Sequence, residues 1–118
     1  MSSILVIEDE INIRRFVTIN LKARGHTVQE AGTGTEGLRL LRSIAPQVMF
    51  LDMRLPDMTG WQVLEAMSQD DVLKSIAVIL MTASVYTDEA LKYPNVVQHV
   101  MKPTSVTTLL EALQKVIP

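Results

Sequence analysis

The chain is predicted to be an α/β protein, five strand–helix repeats, (βα)5, folded as a doubly wound parallel five-stranded sheet between two helical layers. Three observations predict it. The runs Ile4-Leu5-Val6-Ile7, Val48-Met49-Phe50-Leu51 and Ile76-Ala77-Val78-Ile79-Leu80-Met81 are apolar without alternation, as strands buried on both faces are. Stretches with apolar residues at helical spacing lie between them, so successive strands should run parallel. Four strands also end by handing polar residues to one edge: Glu8-Asp9, Asp52, Thr82 and, after Val100-Met101, Lys102-Pro103. In an open parallel sheet the functional crevice lies beyond those carboxyl ends.

The elements follow in order. After the first strand, Ile13, Phe16, Val17 and Leu21 form an apolar stripe, and Gly25 stands where a helix C-terminal cap belongs. Residues 27–31 alternate apolar and polar, as a less covered strand does. Leu38, Leu41 and Ile44 mark a second helix, closed by Pro46. The third strand runs to Asp52, and a loop containing Pro56 leads to Gly60, which opens a helix with Trp61, Leu64 and Met67 on one side. Asp70-Asp71 begins the loop before the fourth strand. Between Tyr86 and Tyr93 there is room for barely two helical turns, with Thr87 as a cap, so the fourth helix is expected to be short. Val106, Leu109, Leu110, Leu113, Val116 and Ile117 mark the last helix. The strands through Leu5, Phe50 and Ile79 should be central, and the more polar ones, with Gln29-Glu30 and Gln98-His99, should be edges. With right-handed crossovers the order 2-1-3-4-5 follows, a known order for doubly wound sheets, with its switch point beside Asp9 and Asp52.

The 118 residues suit one domain, spanning 1–118, with no linker or repeat to divide it. At 47% hydrophobic residues a packed core is expected. A net charge of −2 gives no reason to expect nucleic acid or an acidic membrane as partner, and the absence of cysteine excludes disulfides, thiol catalysis and thiolate metal sites. The longest apolar run is strand-sized, and Met1-Ser2-Ser3 enters the first strand directly, so neither a membrane span nor a signal peptide is expected. The expected location is the cytoplasm.

Glu8, Asp9 and Asp52 at adjacent strand ends would repel, by roughly 4 kcal/mol for a pair about 4 Å apart at an effective dielectric near 20. A proton or a cation must relieve this. Oxygen-only ligands select a hard ion such as Mg2+, which is usually held by one or two carboxylates together with waters and phosphate oxygens. Asp52 is then placed to be a carboxylate nucleophile, Lys102 to offer a point charge to a phosphoryl oxygen, and Thr82 a hydroxyl to another.

At these residues the chain resembles the receiver domain of bacterial two-component response regulators. The resemblance extends over essentially the whole chain: Glu8-Asp9, Asp52, the following Leu55-Pro56-Asp57-Met58-Thr59-Gly60-Trp61, Thr82-Ala83 and Lys102-Pro103. It implies a flavodoxin-like fold and a phosphorylation-dependent switch that acts through protein–protein contacts. Asp52 would accept a phosphoryl group from a phosphohistidine of a sensor histidine kinase or histidine phosphotransfer protein. Asp9, Asp52 and the Arg54 carbonyl would hold Mg2+, with Glu8 acting through metal-bound water. Thr82 and Lys102 would bind the phosphoryl group, and the Lys102–Pro103 peptide would be cis. Such a protein modifies itself and is not a turnover enzyme. His99 stands where receivers carry a switch ring of Tyr or Phe; it reads equally as an edge-strand side chain facing water. Arg54 and Ser84 flank the pocket and could tune hydrolysis of the acyl phosphate. The short fourth helix and Thr104, in place of the usual aromatic after Lys-Pro, depart from the family pattern.

Other readings stand beside this one. A receiver-like interaction module without phosphorylation is one. A phosphatase with an aspartate nucleophile is another, but such enzymes carry a second Asp two residues on, where this chain has Arg54. Gly32-Thr33-Gly34-Thr35-Glu36-Gly37 matches the dinucleotide fingerprint G-x-G-x-x-G, but it follows an edge strand, and Thr33 or Thr35 as a helix cap explains it. His26 reads as a solvated loop residue, and Trp61 as a partly covered helix residue near enough to report on the pocket. The output partner and the oligomeric state, a homodimer included, are left open.

Overall fold

The computed structural model describes residues 2–82, 90, 92–102 and 105–117. Five parallel strands form one sheet in the order β2-β1-β3-β4-β5: β1 (Ser3–Ile7), β2 (Thr27–Ala31), β3 (Val48–Asp52), β4 (Ala77–Thr82) and β5 (Val96–Met101). The order and the edge positions of β2 and β5 are those expected from the apolar runs. Four helices are described: α1 (Ile11–Ala23), α2 (Gly34–Ile44), α3 (Gly60–Ser68) and α4 (Val106–Gln114). A 3-10 turn, Leu73–Ser75, precedes β4. The short helix expected over 86–93 and the Lys102–Pro103 peptide both involve positions outside the described residues, as do Ser84 and Thr104.

The continuous apolar runs work because each strand feeds two cores. Leu5, Ile7, Met49, Leu51, Val78 and Leu80 point to one face, where Leu38 and Leu41 of α2 and Val63, Leu64 and Met67 of α3 cover them. Ile4, Val6, Val48, Phe50, Ile79 and Met81 point to the other, under Val17 and Leu21 of α1 and Leu109, Ala112 and Leu113 of α4. A register shift opposite Val78 and Ile79 lets β5 send Val96 toward the first core and Val100 into the second.

Two helical stripes differ from expectation. In α1 the buried residues are Val17, Thr18 and Leu21, while Phe16 lies on the flank and is exposed. A helix on a sheet buries a limited arc, and Phe16 falls outside the arc that Val17 and Leu21 define. The last helix ends at Gln114, short of Val116 and Ile117, which pack against the second core from the following turn. His26 also differs: it is half-buried, its Nδ1 is covered without a hydrogen-bond partner, and burial lowers its pKa.

Candidate functional site

The carboxyl edge of the sheet brings the expected groups together. Register pairs Ile7 with Leu51 and Asp52 with Met81, so β1, β3 and β4 end nearly level. The chain then turns outward at each end. Lys102, one residue past β5, donates its backbone N–H to the Thr82 carbonyl at 2.7 Å, which brings β5 level with the rest. The result is a cavity of about 400 Å³ lined by Glu8, Asp9, Asp52, Arg54, Thr82 and Lys102 among others.

Glu8 is fully buried, Asp52 is 5% exposed, Thr82 is 8% exposed, and Asp9 stands in solvent. One carboxylate oxygen from each of the three acids lies within 4.8 Å of the others. The Lys102 Nζ is ion-paired with Glu8 Oε1 and lies 3.1 Å from Asp52 Oδ1, so one ammonium bridges two strand ends. Glu8 is also tied locally: its Oε2 accepts from the Glu10 N–H at 3.0 Å, and its carbonyl accepts from Arg14 Nη1 at 2.9 Å.

Burial raises the Glu8 pKa to about 7; the bonds from Lys102 and the Glu10 amide pull it down, and the neighbouring Asp52 pushes it up again. Burial would lower the pKa of Lys102, but hydrogen bonds to Glu8 and Asp52 outweigh it and hold the amine protonated. Three carboxylates thus share one ammonium in the pocket. An all-oxygen donor set short of positive charge fits a hard divalent cation.

The loop after Asp52 is folded on itself. Arg54 and Thr59 form an isolated antiparallel bridge, Leu55 N–H donates to the Met58 carbonyl at 3.1 Å, and Gly60 N–H to the Met53 carbonyl at 2.9 Å. Thr59 caps α3 in a reciprocal box with Gln62, which is why the helix starts at Gly60. Gly60 is required there: a Cβ would come within 2.9 Å of the Met53 Cα.

The G-x-G-x-x-G stretch has other work. Thr33 caps α2 through the Glu36 N–H. The Gly34 and Thr35 N–H groups are both taken by the carboxylate of Asp57, at 2.8 and 2.9 Å, and the Thr35 hydroxyl donates to it at 2.6 Å. The phosphate-cradling amides thus hold a carboxylate of the same chain. The glycines serve packing: a Cβ on Gly34 would meet Met58 Cγ at 2.3 Å, and one on Gly37 would meet Ile7 Cδ1 at 2.4 Å. Sequence reasoning left Thr33 and Thr35 both open as the cap, which is Thr33, and missed the bond of Asp57; the signal was an Asp in a Pro-containing turn facing a Gly-Thr helix start.

His99 is exposed on β5 and pairs in register with Leu80. Trp61 is not among the residues lining the cavity; it stacks on Tyr93 with ring centroids 6.3 Å apart.

Comparisons agree with this architecture. The solved chemotaxis protein CheY4 of Vibrio cholerae superposes with a TM-score of 0.92 over 99% of both chains at 27% identity. The polar-differentiation response regulator DivK of Brucella anthropi is 29% identical over 115 residues, 95% of this chain and 93% of that protein. The transcriptional regulatory protein AfsQ1 of Streptomyces coelicolor is 39% identical over 83 residues, 70% of this chain. The matched region is about a third of the length of AfsQ1 and of RpaA of Synechocystis, at 36% and 34%. No described helix is long and apolar enough to cross a membrane. The family model for the response regulator receiver domain matches residues 4–114, and the chain belongs to that family.

Proposed function

We propose that the chain is a single receiver domain, residues 1–118, that switches on phosphorylation of Asp52 by a phosphohistidine of a sensor kinase or phosphotransfer protein in the cytoplasm. The observation that carries this reading is the pairing of three carboxylates within 4.8 Å with an ammonium 3.1 Å from one of them, at the topological switch point of the sheet.

An Asp52 carboxylate oxygen attacks the phosphorus. The O–P bond forms, the P–N bond breaks, and the electron pair stays on the donor imidazole. Little covalent chemistry is asked of the protein, so positioning and charge carry the reaction. Lys102 already sits at Asp52 and is held protonated, so it can turn from the carboxylate to a phosphoryl oxygen without a proton transfer. The Thr82 hydroxyl serves a second oxygen. Asp9, Asp52 and the Arg54 carbonyl would hold Mg2+, with Glu8 behind through water; bound there, the ion neutralises the acidic oxygens and those of the incoming group. Movement of Thr82 toward the modified Asp52 transmits the event to β5 through the Lys102 N–H bond, with His99 as the exposed ring beside it. The differential contacts of the phosphoryl group set how far the equilibrium shifts.

The test is intact mass after incubation with Mg2+ and phosphoramidate, whose P–N bond mimics phosphohistidine. A single phosphate adduct on the wild type, absent from Asp52→Asn, is expected. An adduct that persists in Asp52→Asn, or none in the wild type, overturns the assignment, and sustained hydrolysis of phosphate esters would make the chain a phosphatase.

A further inference from the structure

We propose that Asp57 is a positioning residue for phosphoryl transfer: it ties the loop after β3 to the start of α2 and thereby fixes the backbone at Met53 and Arg54 beside Asp52. The inference rests on Asp52 being the phosphoacceptor, and its experiment separates the two.

The loop has two ends and one tip. Asp52 stands at its entrance in a buried strand, and Gly60 at its exit in a capped helix. Residues 55–58 form the tip, and α2 holds that tip by two independent means. The Asp57 carboxylate accepts from Gly34 N–H, Thr35 N–H and the Thr35 hydroxyl, all within 2.9 Å. Met58 fills the space that the missing Cβ of Gly34 leaves open. The charge suits the place, because the unpaired amides of a helix N-terminus attract an anion. These bonds hold the Asp57 carboxyl at a pKa of about 2.

The tip is rigidly connected to the site. The Arg54–Thr59 bridge, the Leu55-to-Met58 bond and the Gly60-to-Met53 bond make the loop one folded unit. A shift of the tip therefore moves Arg54, whose N–H lies 3.4 Å from Asp52 Oδ1 and whose carbonyl is the proposed backbone ligand. Groups that orient a ligand from behind it typically control affinity by about 10–100-fold.

The experiment compares wild type with Asp57→Ala, Asp57→Asn, Thr35→Val and Thr35→Ser. In the metal-free protein, hydrogen exchange of the Leu55 and Gly60 amides should quicken about 10-fold in Asp57→Ala, because the loop opens without its latch. Calorimetry should show Mg2+ binding weakened about 10-fold, with adduct formation from phosphoramidate slowed to match. Thr35→Val should give part of the effect, Thr35→Ser should restore it, and Asp57→Asn should fall between. A merely structural latch lowers the melting temperature but leaves Mg2+ affinity and adduct rate unchanged in the folded protein; that result overturns the proposal. Should the wild type form no adduct, the phosphoacceptor reading fails, and unaltered exchange and Mg2+ affinity in Asp57→Ala then sink the latch as well. Should Asp57→Ala not fold, Thr35→Val and Asp57→Asn carry the same comparison.

Discussion

The loop after β3 is tied at its entrance, tip and exit, whereas the loop after β1 leaves one acid locked and the next one loose. Asp57, Met58, the Arg54–Thr59 bridge and the Thr59–Gln62 box hold the former. In the latter, Glu8 is buried and bonded, but among the described residues the exposed Asp9 carboxylate accepts no hydrogen bond. Glu10 occupies the N-cap of α1 without a side-chain bond, while α2, α3 and α4 are capped by Thr33, Thr59 and Ser105. The proposed switch must hold a nucleophile still and also admit an ion, which asks for both kinds of loop. On that proposal the rigid one positions Asp52, and the loose one lets Asp9 swing to a ligand at little cost in broken bonds.

The sharpest way to break this contrast is to remove the cation on which both loops lean. Lys102→Met leaves Glu8 and Asp52 facing each other without a countercharge. Breaking a buried pair in this way costs about 3–5 kcal/mol when the remaining charge cannot escape. Urea unfolding at pH 8 without Mg2+ should show a loss of that order, and at pH 5 a smaller one, because Glu8 then takes a proton. Equal losses at both pH values would mean that Lys102 contributes packing and little charge.

A pH titration of stability should separate the loops by sign. Glu8 has a folded pKa of about 7, above its ordinary 4.5, so the folded state binds the extra proton between those values. Stability is therefore fully present below about pH 4.5 and lost as pH rises through 7, by at most about 3 kcal/mol. Asp57 works the other way: its folded pKa of about 2 lies below its ordinary 3.8, so its contribution is present above pH 4 and is lost as pH falls toward 2. Chemical unfolding of the metal-free protein should show the fall from pH 5 to 8, and Glu8→Gln should flatten it. A slope that survives Glu8→Gln would assign the titration to another group.

The rigid parts of the molecule were the legible ones. Apolar runs such as 48–51 specify strands because they suit burial on both faces, and their polar ends put Glu8, Asp9, Asp52, Thr82 and Lys102 at one edge of the sheet. Thr33 and Gly60 were legible because capping is local. What escaped was set across space. The bond of Asp57 to Gly34 spans 23 positions, and no periodicity marks it. Phe16 and Val116 escaped for a different reason: hydrophobic spacing tells which residues are apolar, but the width of the covered arc and the last turn of a helix depend on what packs against them.

The smallest effect probes the loose loop directly. Glu10 has the extended backbone of an N-cap, φ −76° and ψ 110°, yet its side chain makes no capping bond. Ser at this position can accept from an amide of the first turn with little rearrangement, and such a cap contributes about 0.5–1 kcal/mol. Glu10→Ser should therefore raise stability by that amount in urea unfolding. The gain should come with a cost at the site. A capped α1 adds a side-chain tie to the backbone bonds that Glu10 already makes through its N–H and carbonyl, one residue beyond Asp9, so Mg2+ binding measured by calorimetry should weaken or stay level while stability rises. An increase in both would show that looseness after β1 serves no purpose in binding, and that the contrast between the two acidic loops is one of stability alone.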